Sequence, residues 1–146
     1  MKISAKGRYG LAAMAYLAQN YAAGVPTTII TISEKLGISK IYLEQVFALL
    51  KRAELVTSLK GSQGGYQLSR RPQDITAHDI LAAIELSLME KPASSTKWEA
   101  LDRAIDTSVY QPLDRAIEET LKQISIADIL AAVEKENESE NLMYFI

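Results

Sequence analysis

The chain has 146 residues, enough for one domain or for one domain with a dimerisation arm. It contains no cysteine, which excludes a disulfide, a thiolate nucleophile and any metal or iron–sulfur site held by cysteine. No apolar run approaches the ~20 residues needed to cross a membrane, and the N-terminus lacks the apolar stretch of a signal peptide. We therefore expect a cytoplasmic protein that binds no membrane.

The net charge of −2 conceals two halves of opposite sign. Residues 1–75 carry ten Lys and Arg against four Asp and Glu, a charge of +6, whereas residues 76–146 carry six against fourteen, a charge of −8. A cationic half fits a polyanion, and an anionic half is repelled by one. We therefore expect the N-terminal half alone to face nucleic acid, with binding that weakens steeply as salt rises.

The apolar positions of residues 6–21 recur at helical spacing and predict a first helix. Cations cluster at its start, Lys6 and Arg8 among them, where they oppose the helix dipole. A phosphate bound there would relieve that cost, because a helix N-terminus favours an anion. A frayed, solvated terminus is the alternative interpretation. Gly24 and Pro26 mark a loop over residues 21–28.

Residues 32–68 have the pattern of a winged helix-turn-helix. A short amphipathic segment ends at Gly37, which can adopt the positive φ of a tight turn. Ser39 is a good N-cap for a second helix that runs to Arg52. A β-prone run, a basic glycine-rich tip and a return run then predict a β-hairpin. The predicted buried positions of the second helix are Leu43, Val46, Phe47 and Leu50.

The exposed first turn of the second helix is the predicted base-reading element, since in helix-turn-helix proteins such residues meet base edges in the major groove. The residues predicted to point outward there are Lys40, Ile41, Tyr42, Glu44 and Gln45. Glu44 can accept from the cytosine amino group, Gln45 can pair with adenine, and Ile41 can touch a thymine methyl. Alternatively, Glu44 is a solvated carboxylate and Tyr42 a core aromatic. In the hairpin tip, Lys60 is expected to reach phosphates or a minor groove; the alternative is a lysine that serves solubility.

The acidic half begins with another predicted helix, over residues 77–86. Thr76 is its N-cap, with Asp79 at the third helical position as in a capping box. His78, the only histidine, has no second ligand nearby and is interpreted as a surface or capping residue, so no metal site is expected. Residues 87–97 are predicted to be loop-like.

Residues 98–124 have a helical pattern that is predicted to break or kink near Pro112. One face carries a long apolar stripe, and such a stripe beside a small helix-turn-helix core predicts the same helix of a second chain as its partner. Two-fold DNA sites need such a dimer. The expected dimerisation residues are Val109, Leu113, Ala116, Ile117, Thr120, Leu121 and Ile124.

The chain ends in a predicted short helix and an acidic tail. Ser125 caps the helix, over residues 126–135, with Asp128 at its third position. Residues 134–140 are strongly acidic and are predicted to be disordered. The five apolar residues 142–146 are unusual at the end of a solvated tail, so we expect them to dock on their own dimer or to bind a partner.

A family resemblance is carried by residues 1–10, 38–45, 64–68 and 75–80. Together these segments resemble the IscR/NsrR/CymR (Rrf) family of bacterial winged-helix regulators. The resemblance covers most of residues 1–86 and is looser beyond them. It implies a homodimer joined by the long helix and bound to a palindromic operator in double-stranded DNA.

The resemblance also implies roles for individual residues. Tyr42 and Glu44 match recognition-helix contacts of the family, and Lys60 matches its wing cation. Two departures imply an operator other than that of IscR: Ile41 stands where IscR-type members carry Ser, and Lys60 where they carry Arg, a cation with different hydrogen-bonding geometry. The N-terminal matches to DNA-backbone contacts are Lys6, Arg8 and Tyr9.

Many family members bind an iron–sulfur cluster through three cysteines, and the corresponding window here, residues 87–106, has none. The resemblance therefore implies no cofactor and a place in the cluster-free, CymR-like branch, which represses cysteine metabolism and is controlled by complex formation with cysteine synthase. The chain end is similar to that branch and to the isoleucine-ended tail of serine acetyltransferase. Cysteine synthase is thus an expected partner, which would capture the terminal carboxylate and fill an apolar site. The partner-binding residues would be Tyr144, Phe145 and Ile146.

The sequence thus predicts a mainly α fold with a small β-hairpin, a winged helix-turn-helix followed by a long C-terminal dimerisation helix. The predicted divisions are a DNA-binding domain over residues 1–86, a dimerisation and effector region over 87–135, and a tail over 136–146. The residues expected to contact DNA are Lys2, Ser4, Lys6, Arg8, Tyr9, Ser39, Lys40, Ile41, Tyr42, Glu44, Gln45, Lys60 and Gly61.

The predicted function is a dimeric DNA-binding transcriptional regulator, acting as a repressor. One alternative senses a small molecule directly, with the ligand held near residues 87–98. Another is an adaptor that binds an enzyme through its C-terminal tail and does not bind DNA. An enzyme is not expected, because no nucleophile–base pair or metal-ligand spacing is visible.

Overall fold

The computed structural model describes residues 3–61, 64–85, 93–94 and 96–144, and for Tyr144 the backbone alone. It confirms the predicted mainly helical fold with a β-hairpin. The helices are α1 (Ala5–Gln19), α2 (Ile29–Leu36), α3 (Lys40–Arg52), α4 (Ala77–Ile84), α5 (Glu99–Ile105), α6 (Gln111–Lys122) and α7 (Ile126–Tyr144). The strands are β1 (Val56–Leu59) and β2 (Gly65–Leu68), and between the elements lie 3₁₀ turns at Tyr21–Ala23 and Pro72–Asp74 and a π-helical turn at Asp106–Tyr110.

The helix-turn-helix forms as predicted, with a longer first helix. Helix α2 begins at Ile29, three residues before the predicted amphipathic segment, because Thr28 caps it by accepting from the Thr31 N–H. Gly37 ends the helix at a φ of 67°, in the left-handed region. Ser39 caps α3 by accepting from the Tyr42 N–H at 3.2 Å. The four predicted core positions of α3 are all fully buried.

The hairpin is antiparallel, with Val56 opposite Leu68 and Leu59 opposite Gly65. It is fastened to the loop before α2 by two backbone hydrogen bonds between Thr27 and Tyr66, of 2.9 and 2.8 Å. Gly65 has a φ of 143°, and a Cβ there would lie 2.6 Å from the Thr27 carbonyl oxygen. Glycine is therefore required for this attachment.

The acidic half is helical, and its first cap is confirmed. Thr76 accepts from the Asp79 N–H and the Asp79 carboxylate accepts from the Thr76 N–H, so the capping box is complete without His78. The predicted end of this helix at Leu86 and most of the loop over 87–97 lie outside the described residues. Pro112 lies in the first turn of α6, directly after the π-helical turn, which is the interruption predicted near it.

Helix α7 corrects the sequence interpretation of the tail. Ser125 and Asp128 form the predicted cap, with reciprocal hydrogen bonds of 3.1 and 2.9 Å. The helix then continues to residue 144, so the predicted end at Lys135 and the predicted disorder of residues 134–140 are wrong. The acidic run contains neither Gly nor Pro and is rich in Glu, a good helix former, so charge alone did not break the helix.

A single core joins the two halves of the chain. Ile126 of α7 is fully buried in the same cluster as Met14 of α1, Phe47 of α3 and Ile80 of α4. A bridge fixes this junction, with hydrogen bonds from the Ala77 N–H to the Ile124 carbonyl oxygen and from the Ile126 N–H to the Ile75 carbonyl oxygen. The predicted division at residue 86 stays a prediction. Among the described residues, no helix has the length and apolar character to cross a membrane.

Candidate nucleic-acid interface

The first turn of α3 exposes the residues predicted to read bases. With Leu43 and Val46 turned into the core, the helical period points Lys40, Glu44 and Gln45 to solvent. Ile41 is 72% exposed, so its aliphatic side chain is accessible to a bound partner. This turn therefore offers a cation, a carboxylate, an amide and an apolar group side by side.

The wing lies on the same side as this turn. Lys40 and Glu44 line a groove of about 320 Å³ together with Ser58, Leu59 and Gly61 of the hairpin. Lys60 is exposed beside them at the tip, while residues 62–63 lie outside the described residues. The groove brings the predicted recognition helix and the predicted wing contact together.

Two aromatic contacts hold α3 between its neighbours. The rings of Phe47 on α3 and Tyr66 on β2 are 4.6 Å apart, which fixes the wing against the helix. On the other side, the rings of Tyr9 on α1 and Tyr42 on α3 meet edge to face at 5.1 Å. Tyr42 is half-buried, so the prediction that it points outward is corrected: its ring packs on α1 and on the core.

The start of α1 is therefore next to the recognition helix. Of the predicted backbone contacts there, Arg8 is exposed, Lys6 and Tyr9 are half-buried, and Lys2 lies outside the described residues. Ser4 caps the helix by accepting from the Gly7 N–H at 3.2 Å. Its own N–H and hydroxyl donate to the Glu85 carboxylate, at 2.7 and 2.6 Å.

Glu85 is the site residue that sequence reasoning missed. The anion expected at the N-terminus of α1 was a DNA phosphate, and the structure has the chain's own carboxylate at this position. Since 81 residues separate Ser4 from Glu85, no local spacing could have shown the contact.

Two further cations of the basic half are engaged by acids. Arg71 donates to Asp74 at 2.8 Å, and this hydrogen bond and the charge of the carboxylate raise the pKa of the Arg71 guanidinium. Arg70 lies 4.0 Å from Asp79 of the α4 capping box. These arginines lie at the connection to α4 and are not among the residues that line the groove beside α3. Across the described residues, no three His, Cys, Asp or Glu side chains converge on a possible metal site.

The predicted dimerisation residues lie on an exposed surface. Leu113 is 54% exposed and Val109 is also exposed, although both are large aliphatic side chains. A small, mainly apolar groove of about 240 Å³ lies beside them, lined by Ala116, Ile117, Thr120 and Leu121. Ile124 is half-buried at the junction with α4. The described chain covers this stripe only in part, because Ile117 and Leu121 are half-buried while Val109 and Leu113 are exposed.

The π-helical turn affects the direction of this stripe. Apolar residues recur every fourth position from α5 through α6, and a four-residue step overshoots an α-helical turn by about 40°. The turn is closed by the hydrogen bond from the Gln111 N–H to the Asp106 carbonyl oxygen, which spans five residues and offsets part of that drift. Leu101 of α5 is also exposed, at 59%, and continues the apolar pattern towards the N-terminal end of these helices. The recurring positions are Leu101, Ile105, Val109, Leu113, Ile117 and Leu121.

The end of α7 carries exposed apolar side chains. Met143 is 79% exposed and Leu142 is exposed beside it. The predicted partner-binding residues follow directly, but the side chain of Tyr144 and all of Phe145 and Ile146 lie outside the described residues. Their role stays a prediction.

Comparison with known proteins places this geometry in a family. Residues 3–132 match the Rrf2 family, described as iron-dependent transcriptional regulators. The HTH-type transcriptional regulator CymR of Bacillus subtilis is 37% identical over 122 residues, an alignment covering 76% of this chain and 88% of that protein. A putative HTH-type regulator of Azotobacter vinelandii, ORF2, is 37% identical over 132 residues, covering 90% of this chain and 80% of that protein.

Solved structures agree. The structure of CymR, the global cysteine regulator of B. subtilis, superposes with a TM-score of 0.74 and 32% identity, covering 90% of this chain and 98% of that one. IscR of T. potens superposes with a TM-score of 0.73 and 39% identity, covering 93% and 90%. The resemblance found in the sequence is confirmed, and the chain belongs to the Rrf2 family of DNA-binding transcriptional regulators.

Proposed function

We propose that this protein is a homodimeric repressor that binds a palindromic operator. The observation that carries the proposal is the groove shared by the first turn of α3 and the wing. It presents groups that can contact bases and groups that can contact phosphates on one side. Ile41, Glu44 and Gln45 contact base edges in the major groove, while Ser39 and Lys40 approach the DNA backbone. Lys60 and Gly61 of the wing reach an adjacent phosphate or minor groove.

The dimer forms through α5 and α6. An exposed apolar stripe along both helices supports this pairing, and a two-fold axis would set two copies of α3 on successive half-sites. The acidic half faces away from DNA, since its charge of −8 is repelled by phosphate.

The regulator works without an iron–sulfur cluster. The family is described as iron-dependent, but this chain has no cysteine, and its described part has no group of three side chains able to hold a metal. Thiolates are the ligands such clusters require, so the donor set does not fit one. A different signal must therefore act on the acidic half.

Cysteine metabolism is the proposed target, with cysteine synthase as the partner that delivers the signal. The similarity to CymR, named the global cysteine regulator of B. subtilis, supports the target. The exposed apolar side chains of Leu142 and Met143 at the end of α7 support a partner that offers an apolar site to this segment. Deleting residues 142–146 should abolish co-purification with cysteine synthase and leave operator binding intact; unchanged co-purification would reject this partner.

A second candidate is direct sensing of a small molecule. A polar cavity of about 360 Å³ lies beside the π-helical turn, and such turns are frequent at functional sites. Its lining includes Ser94, Arg103, Asp106 and Tyr110. Calorimetry with the free amino acids and metabolites of sulfur assimilation would separate this mode from control by a protein partner.

Genome-wide mapping of bound sites followed by gel shifts over a salt series tests the central proposal. The protein should prefer the mapped palindrome over a scrambled duplex, and the logarithm of its binding constant should fall linearly with the logarithm of salt concentration. Equal affinity for both duplexes, or no DNA binding at any salt concentration, would favour an adaptor that does not read DNA.

A further inference from the structure

Glu85 ends α4 and reaches back to the first turn of the chain. Its Oε1 atom accepts from both the Ser4 N–H and the Ser4 hydroxyl, at 2.7 and 2.6 Å. Because the same hydroxyl oxygen accepts from the Gly7 N–H, one serine both caps α1 and ties its start to α4. Bonds to a charged acceptor are stronger than neutral ones.

The packing around this contact leaves room for the carboxylate and for little else. A Cβ on Gly7 would collide with Glu85 Oε1, and a Cβ on Gly10 would collide with the Ile84 side chain. Both glycines are buried in the face of α1 that meets the end of α4. The close approach therefore depends on two positions without side chains.

Charge favours the same arrangement. The first turn of α1 contains Lys6 and Arg8 and no acid, so the positive end of the helix dipole has no compensating charge on its own helix. The Glu85 carboxylate supplies it from α4. Helix α1 can thereby begin at Ala5, and both cations lie on its first turn. The next residue, Tyr9, contacts Tyr42 of the recognition helix.

We infer that Glu85 is a positioning residue for DNA binding: by holding Ser4, it fixes the first turn of α1 where Lys6 and Arg8 meet the DNA backbone. The inference rests on the proposed function, in which those cations contact phosphates. The opposite possibility is that the carboxylate occupies a phosphate site and weakens binding. The two possibilities predict opposite changes in DNA affinity when Glu85 is replaced, because removing a positioning group lowers the affinity and removing a competitor raises it.

Glu85→Ala tests the inference in the full-length protein. It should weaken binding to the mapped operator about tenfold. Binding to a scrambled duplex should weaken by a similar factor, since phosphate contacts carry no sequence information. The slope of log affinity against log salt should become shallower by roughly 1 to 2, as the two cations lose their fixed place. Glu85→Gln keeps an acceptor for both Ser4 donors and should recover most of the loss.

The salt slope separates positioning from simple destabilisation, because a smaller folded fraction lowers apparent affinity but leaves the slope unchanged. Glu138→Ala, which removes an exposed acid from α7, is the control and should alter neither quantity. An unchanged slope in Glu85→Ala, or tighter binding, would overturn the inference.

Ser4→Ala gives a second route in case Glu85→Ala does not fold. It removes the hydroxyl and keeps the backbone donor, so we expect a smaller loss of affinity with a shallower slope. The fold-loss of DNA affinity in the double variant should be smaller than the product of the two single fold-losses, because the residues act through one contact. Independent effects, or an unchanged slope in Ser4→Ala, would reject the inference. If the wild-type protein binds no DNA, the proposed function fails instead.

Discussion

Helices α3 and α6 carry apolar side chains at similar helical spacing, and they differ in what covers them. Helix α3 buries Leu43, Val46, Phe47 and Leu50 completely within its own chain. Helix α6 has no fully buried residue and leaves Leu113 half exposed. Periodicity therefore identifies an apolar face but not its cover, and the uncovered face of α6 is where a second copy is expected.

The largest effect should come from placing a charge on the uncovered face. Leu113→Asp should raise the dimer dissociation constant by at least about two orders of magnitude, since each copy would lose a buried leucine worth roughly 1.5–3 kcal/mol and gain a desolvated carboxylate. Analytical ultracentrifugation measures the dissociation constant. Arg115→Asp, at an exposed position of the same helix, should leave it nearly unchanged. A Leu113→Asp variant that dimerises normally would remove α6 from the interface.

Substitution in the buried face of α3 should change the stability of the single chain and not its dimerisation. Phe47→Ala should lower the free energy of unfolding by about 3–5 kcal/mol through loss of burial and a residual cavity. This loss should appear at every protein concentration, because the side chain packs within one chain. Urea denaturation at two concentrations measures it, with Glu44→Ala as the control on the exposed side of α3. A loss that shrinks at high protein concentration would place Phe47 in an interface.

Within the DNA-binding surface, substitutions of base-contacting and phosphate-contacting residues should have different effects. Glu44→Ala should cost about 1–3 kcal/mol of discrimination at one base pair in each half-site, since a carboxylate there can accept from the cytosine amino group in the major groove. Lys60→Ala should weaken every duplex about equally and lower the salt slope by about 1. Binding to a panel of single-base operator variants measures both. If the two variants behave alike, the assigned roles are wrong.

The smallest effect concerns an exposed ion pair on α6. Lys122 donates to Glu118 at 2.6 Å, and this hydrogen bond and the lysine charge lower the pKa of the Glu118 carboxyl from its ordinary value of 4.5. A lowered folded-state pKa contributes stability above the unfolded value, which is lost as the pH falls through the folded one. Glu118→Gln should therefore be slightly less stable than wild type at pH 7 and equal to it in strong acid. A difference that persists in strong acid would show that Glu118 acts otherwise.

Local chemistry explains what the sequence could predict. The caps at Ser39, Thr76 and Ser125 each depend on residues three positions apart, and each forms as predicted. The buried face of α3 follows from its period alone. Contacts that join distant parts of the chain could not be found this way, and the hydrogen bonds between Ser4 and Glu85 are the clearest case.

Two further differences have identifiable causes. Helix α7 is longer than predicted because high charge density does not by itself prevent helix formation in a run without Gly or Pro. Tyr42 does not point outward because its ring meets that of Tyr9 on α1, so the structure favours the alternative of a core aromatic.

Photo-crosslinking from position 41 tests the central claim most directly. A benzoylphenylalanine placed at Ile41, which is 72% exposed on the first turn of α3, should crosslink to operator DNA in the dimer. The same probe at Glu138, exposed on α7, should not. Crosslinks from position 138 and none from position 41 would show that the acidic half meets the DNA, and would contradict the account.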